Sequence, residues 1–154
     1  MEIVYFSKEP PREDDVFLSV VKSIIALPRI VTVSEINEFK KKLTEKPGRQ
    51  LLSIVIAADE EMLIDIYFTR CLLSRISSIL VLPDHEGHTA ALGYRIGPDH
   101  VLPPNADIAD IALAVAKVME RVSRHTPPKY AEYTYRTTWP DRYVSHGEDK
   151  AANF

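Results

Sequence analysis

The chain has 154 residues, of which 45% are apolar, and a formal net charge of -3 at pH 7. This is the size of one ordinary domain, with enough apolar side chains for a core that needs neither disulfides nor metals. The slightly acidic balance argues against nucleic acid or an anionic membrane as a partner, because contact with phosphates requires a basic face.

The first part of the chain reads as two strands, each followed by a helix. Residues 3–6 form the first predicted strand, and Asp14 and Asp15 are placed to cap a helix whose apolar pairs recur every four residues. Residues 30–33 form the second strand, and Ser34 is predicted to cap the second helix. Alternation of this kind is typical of a parallel sheet wrapped by helices.

The third strand is predicted at the centre of the sheet. Residues 51–58 are the most continuous apolar run of the chain, which indicates burial on both faces. Acidic residues from Asp59 to Glu61 follow, where the helix dipole favours negative charge. We expect the third helix to run to about Ser74 and to bury a broad apolar stripe, namely Leu63, Ile66, Tyr67, Phe68, Cys71 and Leu72.

Two more strands and a long helix complete the pattern. Residues 79–82 and 100–102 are the fourth and fifth strands, and Gly87 and Gly93 between them leave room for a shortened fourth helix at most. Asp107 is placed to cap a final helix of regular apolar spacing. The sequence therefore predicts an α/β fold with a doubly wound, five-stranded parallel sheet over residues 1–124.

Residues 125–154 differ from the rest and form a predicted C-terminal extension. Four of the seven tyrosines and the only tryptophan lie here in a polar context. Tyr133 and Tyr135 alternate with polar residues, which is the pattern of an added edge strand. Tyr133, Tyr135 and Trp139 are candidate interface residues, and three alternatives stay open: a tail docked on its own domain, a subunit contact, or disorder.

The order of elements resembles the receiver domains of bacterial response regulators. Residues 97–107, Gly-Pro-Asp-His-Val-Leu-Pro-Pro-Asn-Ala-Asp, are similar to the family's Gly-Ala-Asp-Asp-Tyr-Leu-Thr-Lys-Pro-Phe-Asp ending. The resemblance implies a flavodoxin-like sheet of order 2-1-3-4-5, with a switch point between strands one and three where ligands bind. It also implies a cis peptide bond before Pro104.

The residues that receivers use for phosphorylation are replaced. The family holds Mg²⁺ with an acidic pair after strand one, phosphorylates an aspartate that ends strand three, and uses a strand-four Ser or Thr and a strand-five Lys. The matching positions hold Ser7 and Lys8, Ala57 or Ala58, Pro83 and Pro103. Asp59 comes one or two places late and fits a helix cap better. The resemblance therefore implies a pseudo-receiver that has no metal, no cofactor and no aspartyl phosphorylation.

One polar cluster contains potential metal ligands. His85 and His88 lie three residues apart beside Asp84 and Glu86, a spacing that could hold Zn²⁺. No third histidine or cysteine stands at ligand spacing, and Cys71 belongs to a helix. The cluster is predicted to be a polar loop rather than a metal site.

Two principal functions compete. The first is a non-enzymatic interaction or regulatory module that meets a protein partner or forms a homodimer, using a surface near strands four and five together with the aromatic extension. The second is a regulatory domain that binds a small molecule or anion at the switch point, where Ser7, Lys8, Asp59 and Asp84 are the candidate lining. Phosphorylation of Asp59 is kept as a third, less favoured interpretation.

The compartment follows from features that the sequence lacks. Cys71 is the only cysteine, so an internal disulfide is impossible and a reducing compartment is expected. The first residues carry no basic segment of a signal peptide, and no apolar run approaches the roughly 20 residues of a membrane span. We expect a cytoplasmic protein without membrane contact.

Overall fold

The computed structural model describes residues 1–45 and 50–123. Five parallel strands form one sheet of order β2-β1-β3-β4-β5, which confirms the predicted flavodoxin-like topology. The strands are β1 (Glu2–Ser7), β2 (Arg29–Val33), β3 (Leu51–Ile56), β4 (Ser77–Val81) and β5 (His100–Leu102). The helices are α1 (Val16–Ile24), α2 (Ile36–Thr44), α3 (Glu60–Phe68), α4 (Arg70–Leu73), α5 (Gly87–Ile96) and α6 (Ile108–Ser123).

The sheet separates two apolar cores, because successive side chains of a strand point to opposite faces. On one face, α1 and α6 pack over side chains such as Ile3, Ile54 and Ile79. On the other face, α2, α3, α4 and α5 cover side chains such as Val55 and Leu80. The central strand β3 is buried on both sides, as its continuous apolar run predicts.

Aspartate caps set the starts of three helices. Asp15 accepts a hydrogen bond from the Leu18 N–H at 3.0 Å, and Asp59 accepts one from the Met62 N–H at 2.8 Å. Asp107 caps α6 in the same way, accepting a hydrogen bond from the Asp110 N–H at 2.8 Å. These three predictions are confirmed. The prediction for α2 is wrong, because Glu35 rather than Ser34 occupies the capping position.

The prediction of a shortened helix between β4 and β5 is also wrong. α5 has ten residues, ends at Ile96 and is capped by Gly97, whose backbone adopts a left-handed conformation with φ of 77°. Gly93 lies inside the helix because α5 packs closely on the sheet: a Cβ atom there would stand 2.7 Å from Leu82 Cδ2. Gly93, one of the two glycines that predicted a shortened helix, therefore permits a close approach.

The third helix is shorter than expected. α3 ends at Phe68, and Thr69 turns the chain into the four-residue α4. Phe68 is 73% exposed and Cys71 is exposed, so neither belongs to the buried stripe that the spacing predicted. The reason is angular: Phe68 comes two residues after the buried Ile66 and lies roughly 200° further round the helix.

The amino-terminal edge of the sheet is held by a charged anchor. Asp99, whose side chain is 7% exposed, accepts from the Ser78 N–H at 2.8 Å and from Arg121 Nη1 at 2.6 Å. This contact ties the end of α6 to the start of β4. One buried hydroxyl nearby, Ser53 Oγ, has no hydrogen-bond partner among the described residues.

Two further expectations concern the backbone and the membrane. None of the described peptide bonds is cis, so the expected cis bond before Pro104 is absent and that prediction is wrong.

Within residues 1–45 and 50–123, no helix combines the length and the apolarity that crossing a bilayer requires.

Candidate functional site

The candidate site lies where β1 and β3 end. Ser7 is the last residue of β1, Lys8 follows it, and Asp59 comes shortly after β3. Lys8 Nζ lies 2.8 Å from Asp59 Oδ2, and the two side chains are 48% and 47% exposed. An ion pair thus spans the switch point, the place where a ligand is expected in this topology.

Asp59 uses both carboxylate oxygens. Oδ1 accepts from the Met62 N–H as the cap of α3, and Oδ2 accepts from Lys8. The hydrogen bond from Lys8, followed by that from the Met62 N–H, holds the pKa of Asp59 below its usual value. The same bond to Asp59 raises the pKa of Lys8. Both groups are therefore stabilised in their charged forms.

At the positions that match the phosphorylation residues of receivers, this chain has no side chain that could accept a phosphoryl group. Ala57 is buried, and its N–H donates to the Val81 carbonyl at 3.0 Å, which extends the sheet instead of presenting a side chain. Pro83 and Pro103 follow β4 and β5 and carry neither a hydroxyl nor an amine. In the described part of the chain, no three His, Cys, Asp or Glu side chains are grouped so as to hold a metal ion.

Asp84, a predicted lining residue, bonds within its own loop. It accepts from the Thr89 hydroxyl and from the Glu86 N–H, and these bonds, Thr89 first, lower the pKa of Asp84. Thr89 is fully buried, so Asp84 organises the entry into α5. The structure thus joins Lys8 to Asp59, whereas it gives Asp84 a structural contact in the β4–α5 loop.

The histidine cluster makes a different contact from the one that a zinc site requires. His88 Nε2 lies 3.3 Å from Glu60 Oε2, which links the first turn of α5 to the first turn of α3. Both side chains are more than half exposed. The pair therefore adds a solvated bridge between two packed helices.

A cavity opens beside the ion pair, on the side of β2 rather than β3. Its volume is about 240 Å³. Ser7 and Lys8 line it, together with residues that were not among the predicted site residues: Tyr5, Glu9, Pro10, Pro11, Thr32, Val33, Ser34 and Glu38. The missed signal was the pair of hydroxyl residues around the end of β2, which the 2-1-3 strand order brings next to β1.

Tyr5 forms a polar contact at the wall of this cavity. Its hydroxyl donates to Asp15 Oδ2 at 3.2 Å, so the cap of α1 is tied to β1. Burial, followed by the charge of Asp15, raises the pKa of Tyr5. Tyr5 therefore stays protonated and acts as a donor. No local sequence signal pairs these two residues.

Comparison with known proteins shows likeness in fold only. No family model matches the chain, and no curated protein matches its sequence. Solved structures that share its fold include the following two. One is a protein from Burkholderia thailandensis assigned to pilus assembly (CpaE), with a TM-score of 0.57 and 15% identity over 78% of this chain and 98% of that chain. The other is a pilus assembly-related protein from Burkholderia pseudomallei, with a TM-score of 0.58 and 14% identity over 79% and 90%.

The predicted interface residues Tyr133, Tyr135 and Trp139 lie outside the described residues. The boundary at residue 124 and the edge strand predicted near Tyr133 remain predictions for the same reason.

Proposed function

We propose that this chain is a non-enzymatic, receiver-like regulatory module that acts through protein contacts and is not switched by aspartyl phosphorylation. The observation that carries the proposal is the Lys8–Asp59 ion pair at 2.8 Å. The resemblance to receivers implies that the Lys8 ammonium group stands where a receiver would hold Mg²⁺, and Lys8 also donates to the carboxylate of Asp59. Without a divalent ion, the charge of a transferring phosphoryl group has no counter-ion of the required kind.

The side chains around the pair support the same interpretation. Both oxygens of Asp59 already accept hydrogen bonds, one as the cap of α3 and one from Lys8, which suits a structural carboxylate. Ala57 and Pro83 supply neither an acceptor nor a hydroxyl. Because two solved structures with this fold are assigned to pilus assembly, we propose that the protein partner is a component of such an assembly.

The test is incubation with acetyl phosphate and Mg²⁺, followed by intact-mass measurement. We expect no phosphoryl adduct, while a phosphorylatable receiver in the same reaction acquires one. The variant Lys8→Ala frees one oxygen of Asp59 and should still give no adduct, because the acidic pair that holds the metal is missing. An adduct that appears in the natural chain and disappears in Asp59→Asn would refute the proposal.

A second candidate function, binding of a small polar ligand, is favoured by the cavity beside β1 and β2. The hydroxyls of Ser7, Thr32 and Ser34 can donate or accept, and Lys8 stands at one wall. Thermal unfolding in the presence of inorganic phosphate tests this candidate. A rise in Tm that is lost in Ser7→Ala and Thr32→Val would support it, and an unchanged Tm would count against it.

A further inference from the structure

Helix α3 carries an apolar strip on its exposed side. Phe68 is 73% exposed and Ile64 is 43% exposed. The two residues are one helical turn apart, so their side chains lie on the same face. Single exposed apolar residues are ordinary, but two stacked on one helix form a continuous apolar surface that a partner can cover.

Phe68 packs against an aromatic neighbour. Its ring packs edge to face against Tyr67, with 5.8 Å between ring centroids. The guanidinium of Arg70 lies 4.0 Å above the Tyr67 ring and also donates to the Tyr67 carbonyl. Tyr67 and Phe68 thus form an aromatic pair beside the exposed side of α3.

The strip is flanked by negative charge. Glu61, Ile64, Asp65 and Phe68 recur at the spacing of one helix face, and the side chains of Glu61 and Asp65 are exposed. The surface that these four residues form is called the α3 face below. An occupant that carries both apolar area and positive charge fits this face, although Lys8 already lies within electrostatic range of Glu61 and Asp65.

Residues 124–143 of the chain have this composition. They contain four arginines and lysines against two acidic residues. They also contain five aromatic residues, Tyr130, Tyr133, Tyr135, Trp139 and Tyr143. The segment is therefore basic and aromatic, complementary in both respects to the α3 face.

The segment also begins within reach of the α3 face. Arg121 near the end of α6 is tied to Asp99, which bonds to Ser78 at the start of β4. The α3–α4 segment leads into the same end of β4. Ten extended residues span roughly 33 Å, several times the about 10 Å diameter of a helix. The chain can therefore pass round the edge of the sheet without moving another element.

From these observations we propose that residues 124–143 fold back onto their own domain and cover the α3 face, with aromatic side chains packed against Phe68. This contact goes beyond the regulatory role proposed above and does not depend on it. A partner that binds the α3 face would have to displace the extension.

The chain supplies its own probe, because Trp139 is its only tryptophan and lies in the extension. In the full chain, we expect Trp139 emission at short wavelength and protection from acrylamide. Phe68→Ser should shift the emission to longer wavelength and increase quenching. The matched control is Tyr94→Ser, a change of an aromatic residue of similar exposure, 69%, on α5. It should leave the emission unchanged.

A second probe measures proximity. Cys71 is the only cysteine and is exposed on α4, three residues from Phe68. An acceptor dye on Cys71 should quench Trp139 by energy transfer, and Phe68→Ser should reduce that transfer. Glu61→Lys together with Asp65→Lys should also reduce it, because the charge complementarity is reversed. Circular dichroism checks that each variant is folded.

Two results would overturn the proposal. Trp139 emission that is typical of water and equal in the natural chain and Phe68→Ser would show that the extension does not cover the α3 face. Protection that falls on dilution would identify a second copy as the occupant, because an intramolecular contact does not depend on concentration.

Discussion

The close approach of α5 to the sheet gives a quantitative prediction at Gly93. In Gly93→Ala, the new Cβ would stand 2.7 Å from Leu82 Cδ2 and 3.4 Å from Leu80 Cδ2. Overpacking of a core costs about 1–3 kcal/mol. Replacing glycine by alanine inside a helix returns about 1 kcal/mol. We therefore expect Gly93→Ala to lower the free energy of unfolding by about 1 kcal/mol.

The same geometry predicts that a second substitution relieves the first. Leu82→Val removes the δ methyl groups that the new Cβ would meet, and by itself costs about 1 kcal/mol. In the double variant, the Cβ added at position 93 would use the vacated space. The combined loss should therefore be close to zero, well below the roughly 2 kcal/mol expected from simple addition, because the helix preference of alanine then offsets the cost of Leu82→Val.

Urea unfolding followed by far-ultraviolet circular dichroism measures these differences. The matched control is Gly87→Ala at the start of α5, because no atom outside its chain neighbours lies within 4 Å of a Cβ added there. This control should not lower stability. Two results would refute the reasoning: a Gly93→Ala variant that gains the full helix preference of about 1 kcal/mol, or strictly additive losses in the double variant.

Three further variants test the anchor, the cavity wall and the core. Asp99→Ala should cost about 2–4 kcal/mol in urea unfolding, because a buried N–H and Arg121 lose this partner, whereas Asp99→Asn keeps an acceptor and should cost less. Because the pKa of Tyr5 is raised in the folded state, the tyrosine hydroxyl ionises at lower pH in the unfolded chain than in the folded one, so the free energy of unfolding falls as pH rises above about 10. In unfolding experiments over a series of pH values, Tyr5→Phe should reduce this dependence on pH. Ser53→Ala should leave thermal stability unchanged or raise it, and a loss above about 1 kcal/mol would show that its hydroxyl is bonded.

The candidate site could be predicted only in part. Lys8 and Asp59 were placed at one switch point because parallel strands end at the same edge of a sheet. Their direct ion pair depends on side-chain positions across 51 residues of sequence, which no local pattern encodes. The prediction for Asp84 has a different outcome. Asp84 follows the fourth strand, as expected, but its carboxylate accepts a hydrogen bond from the buried hydroxyl of Thr89 instead of lining the switch point.

Sequence alone determined the alternation of strands and helices, the central place of β3 and the starts of α1, α3 and α6, because apolar periodicity and capping aspartates act over a few neighbouring residues. The strand order was implied by the resemblance to receiver domains. Tertiary structure alone decided that Gly93 continues a helix and that Tyr5 and Thr32 border a cavity. In each case the deciding contact comes from an element distant in sequence, so its energy is absent from any local pattern.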